Sequence, residues 1–250
     1  MKAIIVAAGP GSRLNHFTKN RPKCLLKIGN KTIMERALSA LRANGIDDIC
    51  IVRGWKGELI NYPDITYYHN PDFLNNNILA SLFYAEEAMT DDFIFSYSDI
   101  VYTEEIVAKL LDSDADISAI VDVDWKEHYV GRDLHPVSEA ELVKTNSSGI
   151  VRIGKDEVSP EEAHGEFIGL ARFSKTAAEK MKTIFHRENS EPDKPFHHAS
   201  TFRKAYITDM LQELVDNGLV VKSVDIDGGW MEIDTPQDLE RARQYFANDS

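Results

Sequence analysis

Met1-Lys2-Ala3-Ile4-Ile5-Val6-Ala7-Ala8-Gly9-Pro10-Gly11-Ser12-Arg13 opens the chain, and the fold is read from it. The run over residues 2–8 is apolar after its lysine, as expected of a strand covered on both faces in a parallel sheet. Gly9 and Gly11 follow at once, where backbone amides can approach a phosphate or a base with no Cβ in the way. The loop is not a dinucleotide fingerprint, because G-x-G-x-x-G needs glycine at position 14 and Leu14 stands there. It is not a Walker loop either, since no G-x-x-x-x-G-K occurs.

Outward from this stretch, strands and helices alternate. Thr32 reads as the N-cap of a helix whose buried face is Ile33, Met34, Ala37, Leu38 and Leu41, ending at Gly45. Residues 48–53, 65–69, 93–97 and 117–123 read as strands, and 78–89 and 103–111 as helices. This alternation predicts an α/β fold, with a Rossmann-like, mostly parallel sheet flanked by helices. After Trp125 the pattern changes. Residues 142–144, 150–153 and 167–173 read as strands, with Asn146-Ser147-Ser148-Gly149 as a tight turn, so a small β-rich lobe is expected. Residues 177–186 and 207–215 are expected as helices, 189–198 as a surface loop and 220–226 as a strand. Residues 236–246 close the chain as a helix capped by Thr235.

The 250 residues are 43% apolar and 28% charged, which excludes collagen-like, low-complexity and wholly disordered chains. Cys24 and Cys50 are too few for a disulfide framework and lack zinc-ligand spacing. No run of 18 apolar residues or normal signal segment is present, so a cytoplasmic location is expected. The net charge of −13 repels phosphate backbones and anionic lipid, so neither nucleic acid nor a membrane is the expected partner. Arg13, Lys19, Arg21, Lys23, Lys27 and Lys31 nevertheless cluster with no Asp or Glu among them. In an acidic chain that suggests a pocket for a small polyanion, although a solvated basic loop has the same composition.

The string A-A-G-x-G-S-R-L, followed by Arg21-Pro22-Lys23, resembles the nucleotidyltransferases that make sugar nucleotides and CDP-linked metabolites. Their motif is L-A-A-G-x-G-[ST]-R-[LM] with P-K about ten residues later, and Val6 replaces only its first letter. The resemblance implies the nucleotidyltransferase fold shared with GT-A glycosyltransferases. It places Ala7, Ala8, Gly9, Gly11 and Ser12 around the nucleotide, with Arg13 and Lys23 as the catalytic cations. Asp99 lies just past the strand 93–97, where open α/β sheets bind ligands. The resemblance makes it a metal carboxylate and gives the second such role to Asp234, within Trp230-Met231-Glu232-Ile233-Asp234-Thr235-Pro236. Glu232 is a further ligand candidate there. Oxygen ligands and phosphate suit Mg²⁺ as the cofactor. Both aspartates also sit where a helix cap alone would explain them.

Asn75-Asn76-Asn77, with Ser81-Leu82 in the next turn, resembles the choline-phosphate and phosphonate cytidylyltransferase branch. Asn76, Asn77 and Ser81 are therefore candidates for nucleotide contact, as is Trp55 beside Gly54, which could equally be a core aromatic. Lys155 and Glu166 match segments that meet the acceptor in that branch, and Asp122 and Trp125 fall in the same lobe. The whole chain, 1–250, then forms a single nucleotidyltransferase domain. Residues 1–123 serve mainly the nucleotide, 124–200 the acceptor, and 201–250 return to the core sheet with the second metal carboxylate.

The expected substrates are CTP and a small phosphate or phosphonate such as aminoethylphosphonate or phosphocholine, and a homodimer is compatible with this reading. A sugar-1-phosphate nucleotidylyltransferase is the nearest alternative. A glycosyltransferase would instead use Asp122-Val123-Asp124 as a D-x-D motif, and a non-catalytic nucleotide sensor would lose Lys23 or a metal aspartate, which this chain keeps.

Overall fold

Strand β1 (Lys2–Ala7) lies in the middle of the sheet and is buried from Ala3 onward, as its unbroken apolar sequence requires. The structure, a computed structural model, describes residues 1–246. Beyond the glycine loop, the two-residue strands β2 (Lys27–Ile28) and β3 (Lys31–Thr32) make a small hairpin. Thr32 then caps helix α1 (Ile33–Ala43) through a capping box with Glu35. Strands β4 (Ile49–Arg53) and β5 (Ile65–His69) extend the sheet in parallel on one side of β1.

Helix α2 (Ile78–Phe83) is shorter than its periodicity predicts, and a separate 3₁₀ turn at Glu86–Ala88 follows it. The break lets Ala85, Ala88 and Met89 all enter the core, so packing overrides the local helical period. Strand β6 (Phe93–Tyr97) pairs in parallel with the other side of β1. Next come the short strand β7 (Ile100–Tyr102), helix α3 (Glu104–Leu111) and strand β8 (Ile117–Asp122). Helix α4 (Trp125–Tyr129) leads into a long loop, after which β9 (Leu142–Asn146) and β10 (Gly149–Gly154) form the expected hairpin.

Strand β11 (Gly165–Phe173) is more central than a peripheral lobe would require. It runs antiparallel between β6 and β8 and also pairs with β9. Helices α5 (Lys175–Glu188) and α6 (Ile207–Asp216) pack nearby, and β12 (Val221–Ile226) pairs in parallel with β8. The sheet is thus mixed but mostly parallel, ordered β5-β4-β1-β6-β11-β8-β12, with β9 and β10 joined through β11. Strand β13 (Trp230–Glu232) pairs with β7 in a separate antiparallel ribbon, and Thr235 caps the final helix α7 (Pro236–Tyr245). Among the described residues, no helix is long and apolar enough to cross a membrane.

Candidate active site

A cavity of about 620 Å³ opens beside the carboxyl end of β1, where parallel α/β sheets place ligands. Ala7, Ala8, Gly9, Gly11, Ser12 and Arg13 line one wall, and Lys23 projects into it. Gly11 has φ +60°, and a Cβ there would meet Lys23 Cβ at 3.0 Å. Glycine thus lets the loop fold down onto the lysine stem. Thr18 Oγ1 donates to Gly11 O at 2.8 Å and pins the turn.

Asp99 and Asp234 meet because β7 pairs with β13, a ribbon closed by Ile233 N donating to Asp99 O at 2.9 Å. Lys23 Nζ bridges them, 2.7 Å from Asp99 Oδ2 and 2.5 Å from Asp234 Oδ1. Arg13 Nη2 lies 2.5 Å from the other Asp234 oxygen. Burial would push Asp234 up, but Lys23 and Arg13 hold its carboxyl well below the usual range. Burial likewise works against the Lys23 charge, and Asp234 and Asp99 outweigh it, so the ammonium persists.

Asp99 Oδ1 is buried with no hydrogen-bond partner, and Glu232 lies beside Asp234, pushed up by burial and then by that neighbour's charge. Closely set oxygen donors, one of them unsatisfied, fit a hard divalent cation.

The far wall carries the acceptor candidates. Lys155 Nζ is 3.0 Å from Glu139 Oε2 and 4.8 Å from the Tyr206 ring centre. Glu166 is buried, accepts from Tyr129 Oη at 2.6 Å through Oε1, and leaves Oε2 without a partner. Glu141, also buried, accepts from Tyr97 Oη and Thr208 Oγ1. Burial pushes both Glu141 and Glu166 up to about 7. Asn76, Asn77 and Ser81 line the cavity. Buried Asn70 holds two of them, donating to Asn76 Oδ1 and Ser81 Oγ, each at 2.9 Å.

Three expectations are corrected. Asp122 is fully buried and accepts from Trp230 Nε1 at 2.7 Å and from the Gly228 and Asp124 amides. Its oxygens are engaged in holding the turn before β13, so it meets no acceptor and serves in no D-x-D metal site. Trp125 is packed among Ala140, Leu142 and Val158 rather than facing the cavity. Trp55 lies outside the cavity lining; the close contact at that place belongs to Gly54, whose Cβ would fall 2.5 Å from Ala8 O.

Sequence reasoning missed Tyr97, Asn70, Arg132, His135, Glu139 and Glu141. The loop carrying Arg132, His135 and Glu139 has no periodicity to mark it, while Tyr97 stood two residues from Asp99 inside a string already singled out. Arg132 is buried and binds both Glu232 and Asp238, at 3.1 and 2.7 Å. His135, also buried, is lowered to about 4 by burial and then by Arg132.

This glycine loop, bridged carboxylate pair and open cavity belong to a nucleotidyltransferase. Residues 3–219 match the MobA-like NTP transferase domain, and the chain belongs to that family. It is 32% identical to a CTP:phosphoglutamine cytidylyltransferase of Campylobacter jejuni, over 96% of this chain and 98% of the relative. It is 26% identical to a 2-aminoethylphosphonate cytidylyltransferase of Lancefieldella rimae, over 74% and 71% respectively. The solved CTP:phosphocholine cytidylyltransferase of Streptococcus pneumoniae shares the fold, with TM-score 0.73, 21% identity and 98% of each chain covered. Enzymes of this class generally depend on a divalent metal.

Proposed function

We propose that the protein transfers CMP from CTP to a small phosphate or phosphonate that also carries an amine or amide, releasing pyrophosphate. Relatives that use CTP support the nucleotide, and the observation that carries the chemistry is the Lys23 bridge between Asp99 and Asp234 beneath the glycine loop. The acceptor's phosphate or phosphonate oxygen attacks the α-phosphorus as the bond to pyrophosphate breaks. That oxygen is already ionised, so no general base is needed, and catalysis is charge neutralisation and positioning. Lys23 turns from the carboxylates to the α-phosphate, Arg13 holds the departing β- and γ-phosphates, and Lys155 holds the acceptor's anion.

Asp99 and Asp234, with Glu232 adjoining, would hold Mg²⁺. Bound there, it would offset negative charge on the reacting phosphates. The amine or amide is read from Glu166 Oε2, a buried oxygen with no partner on the cavity wall. A donor from the acceptor would satisfy it, whereas leaving it unpaired costs about 1–3 kcal/mol.

Pyrophosphate release with CTP, Mg²⁺ and each of aminoethylphosphonate, phosphocholine, phosphoglutamine, glycerol phosphate and glucose-1-phosphate tests this. Aminoethylphosphonate or phosphoglutamine, which carry N–H donors, should exceed glucose-1-phosphate at least ~10-fold in kcat/KM, a difference of about 1.4 kcal/mol. Equal or better use of the sugar phosphate would refute the acceptor assignment, and no release with any acceptor would refute the whole reading.

A further inference from the structure

We infer that His135, Glu232 and Asp234 form a second divalent-cation site, distinct from the oxygen-only pair Asp99–Asp234, and that it takes a first-row transition ion such as Mn²⁺ or Co²⁺. The inference rests on the reading of these carboxylates as metal-binding. One ligand atom from each of the three residues lies within 4.8 Å of the other two. Asp234 divides its oxygens between two directions: Oδ1 faces Lys23, and Oδ2, which also meets Arg13 Nη2 at 2.5 Å, lies 3.6 Å from His135 Nδ1. His135 Nε2 is 3.5 Å from Glu232 Oε2.

The histidine is only 2% exposed, and its Nδ1 has no hydrogen-bond partner. A buried polar nitrogen without a partner is costly, and Nδ1, set beside Asp234 in a cluster that includes Glu232, would be satisfied by a cation that all three residues share. The charge around it favours that ion. Among the described residues, Arg132 is the one cation on Glu232 and Asp238, Asp234 shares Lys23 with Asp99 and Arg13 with Glu139, and Lys155 also meets Glu139. Carboxylates therefore outnumber the cations that reach them. First-row transition ions accept an imidazole nitrogen more readily than Mg²⁺, Mn²⁺ least among them and Co²⁺ more so, so this site should keep Mn²⁺ when excess Mg²⁺ fills the oxygen-only pair.

The test uses the full chain in excess Mg²⁺, titrated with Mn²⁺ and followed by electron paramagnetic resonance, with pulsed measurements for ¹⁴N coupling. Bound Mn²⁺ should show directly coordinated nitrogen, and His135→Ala should abolish that coupling and weaken binding at least ~10-fold. Asp99→Asn should retain the nitrogen-coupled ion. If His135→Ala fails to fold, the wild-type nitrogen coupling together with a His135→Gln titration decides the matter. Mn²⁺ bound without nitrogen coupling, equal affinity in the His135 variant, or no bound Mn²⁺ would each overturn the inference. Mg²⁺-dependent pyrophosphate release, measured on the same samples, shows separately whether the proposed function stands.

Discussion

Replacing Lys23 by methionine keeps most of the stem's bulk and removes the charge that separates Asp99 from Asp234. The ammonium is 2.7 and 2.5 Å from their oxygens and its side chain is only 13% exposed. Removing one partner of a largely buried pair costs about 3–5 kcal/mol. At roughly 2–4 °C per kcal/mol for a chain of this size, the metal-free variant should melt on the order of 6–20 °C lower. Millimolar Mg²⁺ should then restore more of the melting temperature than it adds to wild type, because the cation takes the vacated position between the carboxylates and binds only the folded state. Turnover should not recover with it. Losing one donor to a developing phosphate charge typically lowers kcat on the order of 10²–10³-fold. Differential scanning fluorimetry with and without Mg²⁺, beside a pyrophosphate-release assay, reads all three quantities. A variant that melts and responds to Mg²⁺ like wild type, with kcat unchanged, would refute the reasoning.

EDTA should abolish CTP turnover and added Mg²⁺ restore it, as followed by pyrophosphate release; full activity in metal-free buffer would contradict the carboxylate assignment. Glu141→Gln should gain stability relative to wild type as pH rises. Glu141 is held up at about 7 by burial against an ordinary 4.5, so between those values the unfolded chain has released a proton that the folded chain keeps. Wild-type stability from this group is therefore complete below 4.5 and falls by up to about 1.4 kcal/mol per pH unit toward 7. Melting curves at several pH values check the sign. Gly169→Ala should destabilise by about 1–3 kcal/mol, because Gly169 has φ +88° and an added Cβ would meet the Tyr97 ring at 2.1 Å. Displacing Tyr97 would also release its bond to Glu141 and raise KM for the acceptor, measured by steady-state kinetics.

The glycine-loop wall of the cavity was legible because its geometry is local. A buried strand, two glycines, an arginine and a Pro-Lys lie within the first 23 residues, and backbone geometry alone sets their relations. Thr32 and Thr235 were legible as caps for the same reason, each followed three residues later by the acid that completes its box. The far wall was legible only in part: Lys155 and Glu166, named from the sequence, line the cavity, and the rest gave no such signal. Asp122 and Trp125 had plausible side chains near the right place, but burial decides their roles, and burial depends on Trp230, Leu142 and Val158, distant in sequence. Glu141 gave no signal either. It precedes an apolar strand like many exposed carboxylates, and only the meeting of Tyr97 and Thr208 above it makes it a buried wall of the cavity.

The ribbon that joins Ile100–Tyr102 to Trp230–Glu232 also sets when the enzyme can become active during its own synthesis. A nascent chain that has passed Asp99 already holds the glycine loop and Lys23, yet about half of the sequence must still be made before Asp234 emerges. At roughly 5–20 residues per second, that interval is on the order of ten seconds. A polypeptide released early, from a broken message or a stalled ribosome, would carry the glycine loop and Lys23 without Asp234. On the proposed chemistry such a fragment could not spend nucleotide, because the carboxylate pair is completed only by a late-made segment.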